Sequence, residues 1–192
     1  MEKYSFITNN CLGSTFYQKI EREYDNPFIG SYFQDEDQYL KFCLNFEYYM
    51  KLEPIFSSPK LDIDTNNTSV PPDSFPVMFL DDIEIHWIHE TDKNMCLNKY
   101  NRRLERLNDK IPFFVWGDSL LHRPHSESER KELIIKFNTL ENSIYFNKNN
   151  IEEWKDESFD DRNYNNGWVQ PLKWLDSTLI CNLLINFFNS TV

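Results

Sequence analysis

Two short segments hold most of the chemistry this chain offers: Asn9-Asn10-Cys11 and His86-Trp87-Ile88-His89. The first places two amides and a thiol directly after a strand-like run, Tyr4 to Thr8. The second places two imidazoles at the end of an isoleucine-rich run, with Asp82, Glu84 and Glu90 close by. A thiol at a helix start lies in partial positive charge, which lowers its pKa. With a nearby histidine, Cys11 would form a nucleophile–base pair; the plainer reading is a small buried residue at a tight strand–helix turn. His89, at the strand end, is the better-placed general base near neutral pH. His86 has the opposite parity on a strand, so it faces the other side and reads as packed against a helix or as a support for its neighbour. Two histidines with carboxylates also fit a metal site in composition. A strand would splay them, so no metal is expected.

In parallel sheets, ligands bind beyond the carboxyl ends of the strands. That rule selects Asn9-Asn10-Cys11 after the first strand, His89-Glu90 after the second and Gly117-Asp118 after the third. Convergence of these segments at one edge is the central expectation. Lys99, Arg102, Arg103 and Arg106 form a basic stripe, either a solvated face or, because guanidinium forks suit phosphates, a place to hold a diphosphate. His122-Arg123-Pro124-His125 is a polar loop that is exposed or borders a pocket. Cys43, Cys96 and Cys181 fall on apolar helical faces and read as packing.

The elements that must position these residues alternate between strand and helix. After the first strand, Cys11 to Ile20 forms a helix, and Asn26-Pro27-Phe28 breaks the chain. Asp37 to Met50 reads as a second helix. Residues 57–76, rich in proline and polar residues, form a long surface excursion. Val77 to Leu80 and Ile83 to Ile88 form a second strand region. Thr91 or Asp92 caps a helix running to about Asn108, with Leu97, Tyr100, Leu104 and Leu107 at amphipathic spacing and the basic residues opposite. Ile111 to Trp116 is a third strand, Ser126 with Glu129 a capping box, Ser143 to Phe146 a fourth strand, and Leu172 to Phe188 a final apolar helix. This alternation predicts a single α/β domain over residues 1–192, with a mostly parallel sheet flanked by helices in a three-layer, Rossmann-like arrangement.

Bulk properties narrow the function classes. The 192 residues carry a net charge of −11, from 31 acidic and 20 basic residues, so the summed field opposes nucleic acid as a partner. With only four glycines, neither a dinucleotide fingerprint nor a P-loop is available. Four cysteines without a close pair predict reduced thiols and a cytoplasmic location. The final helix is too short an uncharged run, interrupted by Asn182 and Asn186, to span a membrane. Its place near the chain end fits fusion to further domains.

Larger blocks carry a family resemblance. Phe6-Ile7-Thr8-Asn9-Asn10-Cys11-Leu12-Gly13, Tyr17-Gln18, Asn26-Pro27-Phe28, Tyr39-Leu40-Lys41-Phe42, Tyr48-Tyr49, Asp82 through His89 and Tyr100 through Asn108 together resemble an exopolysaccharide- and capsule-biosynthesis family of the domain-of-unknown-function type. The chain has Leu12-Gly13-Ser14 where that family often has Trp-Gly-Gly, and Asp81 where it often has Gly. The Asn- and Lys-rich composition is similar to that of giant-DNA-virus proteins, some of which make surface glycans. The resemblance implies a sugar acyltransferase moving an acetyl group from acetyl-CoA to a nucleotide-linked amino sugar, such as a UDP-linked amino-dideoxyhexose. On that expectation His89 deprotonates the acceptor, and Cys11 is an acyl carrier or a structural neighbour. Asn9 or Asn10, with N–H groups of the turn around Gly13, holds the oxyanion. Asp82 or Asp118 orients the imidazole, and Arg102, Arg103 or Arg106 binds phosphates. Two other classes stay open: a glycosyltransferase or hydrolase, for which Asp62-Ile63-Asp64 has the right letters, and a non-catalytic glycan-binding or scaffold module.

Overall fold

In the computed structural model, residues 2–33, 35–59, 75–117, 126–146 and 177–190 are described. Asp118, His122-Arg123-Pro124-His125, Asp62-Ile63-Asp64 and most of the 57–76 excursion lie outside them. The protein is mixed α/β. The elements run β1 (Tyr4–Thr8), α1 (Leu12–Lys19), β2 (Tyr32–Phe33), α2 (Glu36–Leu44), α3 (Phe46–Tyr49), β3 (Ile55–Ser57), β4 (Val77–Leu80), β5 (Ile83–His86), α4 (Lys93–Leu107), β6 (Ile111–Gly117), α5 (Glu127–Phe137), β7 (Ser143–Phe146) and α6 (Ser177–Ser190).

β1, β6 and β7 form a parallel sheet in the order β1-β6-β7, with Thr8 opposite Val115 and Gly117 opposite Phe146. Because side chains alternate across a strand, this sheet feeds two cores. Phe6, Phe113, Val115 and Phe146 join Leu12, Phe16 and Tyr17 of α1 and Cys181, Leu184 and Phe188 of α6. Ile7, Phe114, Trp116 and Tyr145 join Tyr39, Phe42 and Cys43 of α2 and Leu133 and Phe137 of α5. The Tyr39 hydroxyl bridges the sheet from below, donating to the carbonyls of Ile7 at 2.8 Å and Val115 at 3.0 Å.

The second strand region departs from the parallel expectation. β4 and β5 pair antiparallel, inside a four-stranded sheet of order β2-β5-β4-β3. The physical reason is the connection: only Asp81 and Asp82 separate the strands, and a parallel crossover needs a dozen or more residues. Asp81 takes the left-handed backbone region (φ 56°) that such a turn demands. The expected second helix is also two helices, since Asn45 adopts a non-helical conformation between α2 and α3.

A hydrogen bond between the two sheets decides the site. Phe33 N–H of β2 donates to the Asn9 carbonyl at 3.0 Å. Tyr32 in turn sits opposite His86 in β5. The carboxyl end of β1 therefore lies beside the carboxyl end of β5, although these strands belong to different sheets. Helix starts follow their sequence signals. Asp35 caps α2, accepting from Asp37 and Gln38 N–H; Asp92 caps α4 through Met95 N–H at 2.8 Å; Ser126 and Glu129 form the capping box of α5.

Candidate functional site

Cys11 and His89 meet. The thiol Sγ lies 3.1 Å from His89 Nε2, across 78 residues of sequence. The sulfur is the floor of the contact, on a residue 8% exposed, and the imidazole is the exposed rim.

Each partner is positioned by its own element. On the cysteine side, Asn9 clasps the end of β6: its Nδ2 donates to the Gly117 carbonyl and its Oδ1 accepts from Gly117 N–H, both at 3.0 Å. Asn10 Oδ1 accepts from Leu12 N–H at 2.9 Å, turning the chain into α1. Gly13 N–H donates to Thr8 Oγ1 at 3.2 Å, and a Cβ at Gly13 would come within 3.0 Å of that oxygen. Glycine is thus required by the close approach of α1 to β1. On the histidine side, Trp87 N–H donates to the Pro76 carbonyl and Glu90 N–H to the Trp87 carbonyl, closing a turn with His89 as its third residue. Buried Trp87 anchors one end of this turn, and the Glu90–Lys99 ion pair with α4 anchors the other.

Several expected roles change. The N–H groups opening α1 are engaged within the turn: Leu12 by Asn10, Gly13 by Thr8, and Ser14 by the Cys11 carbonyl. Neither they nor the clasped amide of Asn9 is set out for an oxyanion, and Gly13 serves packing. Asn10 is the one amide of the turn whose Nδ2 has no partner among the described residues. The Cys11 thiol is not acidified by the helix start. Burial pushes its pKa up to about 11, because a thiolate in an apolar surround loses hydration that one helix end does not replace. At neutral pH the sulfur facing His89 is a thiol.

His86 is a separate feature. Its Nε2 lies 2.7 Å from Glu84 Oε1, both side chains are 1% exposed, and its ring packs against Phe75 and Tyr32. It shares no partner with His89, and among the described residues no three His, Cys, Asp or Glu side chains are grouped to hold a metal ion. Asp82 precedes β5, at the end away from His89, and binds Lys41 and Tyr49, so it does not orient the imidazole.

The arginines divide. Arg102 is exposed. Arg106 pairs with Glu23 and donates to the Tyr24 carbonyl at 2.9 Å. Arg103, expected on the solvated face, is buried: α4 turns Cys96, Tyr100, Arg103 and Leu107 inward. Cys43, Cys96 and Cys181 are buried packing residues, and none of the four cysteines is in a disulfide. Sequence reasoning missed the Asn9 clasp, the Glu90–Lys99 anchor and the burial of Arg103. Only Glu90 and Lys99 carried a local signal, as opposite charges nine residues apart across a helix start.

The family model for "Domain of unknown function (DUF1919)" matches residues 1–187. The chain belongs to the DUF1919 family. It is also similar to a protein of Haemophilus influenzae named "Uncharacterized protein", 25% identical over 112 residues, covering 58% of this chain and 48% of that protein. The chain thus spans about half the length of the curated relative it matches. Within this DUF1919 chain no described helix is long and apolar enough to cross a membrane.

Proposed function

We propose that this domain is an acyltransferase in which Cys11 carries the acyl group and His89 moves the protons. The observation that carries the reading is the 3.1 Å contact between Cys11 Sγ and His89 Nε2 at the carboxyl edge of the parallel sheet. A thiol with a pKa near 11 is a poor nucleophile at rest, and an imidazole nitrogen in hydrogen-bond reach supplies what it lacks.

In the first half-reaction, His89 Nε2 takes the thiol proton as Cys11 Sγ attacks the carbonyl carbon of an acyl thioester. The new S–C bond forms, the bond to the donor sulfur breaks, and the imidazolium returns its proton to that sulfur. In the second, an amine attacks the thioacyl carbon, the C–N bond forms and the Cys11 S–C bond breaks. His89 takes one proton from the nitrogen and returns it to Cys11. The tetrahedral oxyanion of each step is served by the Asn10 amide, whose carbonyl is already held by Leu12 N–H.

The donor of this reading is acetyl-CoA and the acceptor a nucleotide-linked amino sugar in exopolysaccharide or capsule synthesis, the class implied by the resemblance of the Asn-Asn-Cys and histidine blocks. Four cysteines outside any disulfide suit a reducing cytoplasm, the host's where the source is a giant virus. The test is intact-mass analysis of protein quenched after mixing with acetyl-CoA alone. The expected result is one acetyl group on Cys11, absent in Cys11→Ser and formed at least a hundredfold more slowly in His89→Gln. Equal acetyl transfer to amino-sugar acceptors by wild type and Cys11→Ser overturns the covalent reading.

A further inference from the structure

Five cations lie along α4, and the fates of the four from Lys99 to Arg106 differ. Lys99 is neutralised by Glu90 and Arg106 by Glu23. Among the described residues, Arg102 and Arg103 have no carboxylate in ion-pair reach, in a chain with 31 acidic residues against 20 basic. For Arg102, exposed to water, this means little. Arg103 is only 7% exposed, and a buried cation is costly unless an anion or a full set of acceptors answers it.

Arg103 is held in place without being neutralised. Its Nη1 donates to the Ile29 carbonyl at 2.8 Å, and its guanidinium lies 5.0 Å from the centre of the Tyr24 ring. Nε is sealed from solvent with no acceptor. Nη2 has no acceptor among the described residues either, yet they do not seal it, so one edge of the fork is open among them. The aromatic face offsets part of the desolvation, and Glu90 acts on the guanidinium only from beyond ion-pair reach, so no carboxylate of a described residue bonds to it.

Its surroundings tie it to the Cys11–His89 pair. Ile29, which Arg103 grips, packs its side chain beside Gly13, two residues past Cys11. One helical turn earlier on α4, a rise of about 6 Å, Lys99 holds Glu90, the neighbour of His89. Arg103 thus stands between the supports of both members of the pair.

We propose that the open Nη2 edge of Arg103 recognises a phosphoryl group of a ligand bearing a nucleoside diphosphate. A guanidinium edge without a carboxylate matches a phosphoryl group, because the Arg fork suits phosphate oxygens. The class of molecule follows the acyltransferase reading, in which donor and acceptor both carry a diphosphate; the site itself rests on Arg103 alone.

The experiment is calorimetric titration of the full chain, at low salt, with CoA, UDP and inorganic pyrophosphate. Arg103→Lys keeps the charge and loses the fork, Arg103→Gln loses both, and Lys93→Ala removes a cation elsewhere on α4. The expected result is binding of CoA or UDP that weakens at least tenfold in both Arg103 variants and stays within twofold in Lys93→Ala. An effect on CoA assigns the site to the donor, and an effect on UDP assigns it to the acceptor. Should Arg103→Gln fail to fold, Arg103→Lys with an unchanged unfolding midpoint carries the comparison. Wild-type protein that binds none of the three probes, or Arg103 variants that bind as tightly as wild type, overturns the proposal. The Cys11→Ser protein separates the two readings: it keeps Arg103-dependent binding while losing acetyl transfer. Persistence of that binding when wild type transfers no acetyl group removes the acyltransferase reading and leaves the anion site standing.

Discussion

Alkylation of Cys11 by iodoacetamide tests whether the thiol and imidazole stand as a neutral pair or as an ion pair. Burial raises the thiol from 9.0 to about 11. At pH 7 that leaves about one molecule in 10,000 as thiolate, against about one in 100 for the ordinary group, a difference of about 2.7 kcal/mol at 1.36 kcal/mol per unit. A more basic thiolate is intrinsically more nucleophilic, with a Brønsted slope of about 0.4–0.5, which recovers roughly tenfold. The net expectation at neutral pH is a rate about tenfold below that of an unperturbed thiol.

The pH profile is more decisive than the absolute rate, because access to the thiol of a residue 8% exposed slows every point equally. Followed by peptide mass spectrometry, the pseudo-first-order rate should climb about tenfold per unit from pH 7 to 10, without a plateau. In His89→Gln the profile should keep its shape, since the shift comes from burial and not from the imidazole. A plateau below pH 8 in wild type that disappears in His89→Gln would refute this reasoning, because it would mean a thiolate–imidazolium pair already formed.

Stability should fall in alkali. Cys11 at about 11, Cys96 and Tyr100 at about 12 all hold their protons longer in the fold than in the unfolded chain, burial being the leading cause. Above pH 9 the unfolded thiol is deprotonated while the folded one is not, so the unfolded state binds fewer protons and stability drops as pH rises. Cys11 alone contributes about 2.7 kcal/mol that is intact below pH 9 and lost by about pH 11, and urea midpoints at pH 7.5, 9 and 10.5 should show a shallower fall in Cys11→Ser. Asn9→Ala leaves Gly117 N–H and C=O without their clasp; chemical denaturation should report a loss of about 2 kcal/mol. Gly13→Ala drives a methyl toward Thr8 Oγ1, itself held by Gly13 N–H and by the Asn10 carbonyl. A cost of about 1 kcal/mol is expected despite the better helix propensity of alanine, and an unchanged melting temperature would argue that Thr8 yields freely.

Local patterns gave most of the elements, and contacts between distant elements gave the surprises. The Asp92 cap, the Ser126–Glu129 box, the apolar run of β6 and the β1–α1 turn were readable because their causes lie within a few residues. The antiparallel pairing of β5 was also written locally, in the two residues between Leu80 and Ile83, but the α/β alternation outweighed it. β2 has two residues and no period to read. Arg103 was assigned to solvent because its partner, the Ile29 carbonyl, lies 74 residues earlier; a charge on the inward stripe looks like an error until that acceptor is known. The meeting of Cys11 with His89 was expected, but by a parallel-sheet edge shared by β1 and β5. The actual route is the Phe33–Asn9 bond between two sheets.

That route bears on how the pair keeps its geometry. Sγ is fixed through Asn9, Asn10 and the start of α1, whereas Nε2 is fixed through Trp87, Glu90 and α4, and the two sets share no residue. Their relative placement is set by β2, which bonds to Asn9 on one side and to β5 on the other through only two residues. A two-residue strand is a weak ladder by itself, so its stiffness must come from burial: Phe33 is fully buried among Phe28, Tyr39 and Phe42. An aromatic core that contains neither the thiol nor the imidazole is therefore what holds them within hydrogen-bond reach of each other.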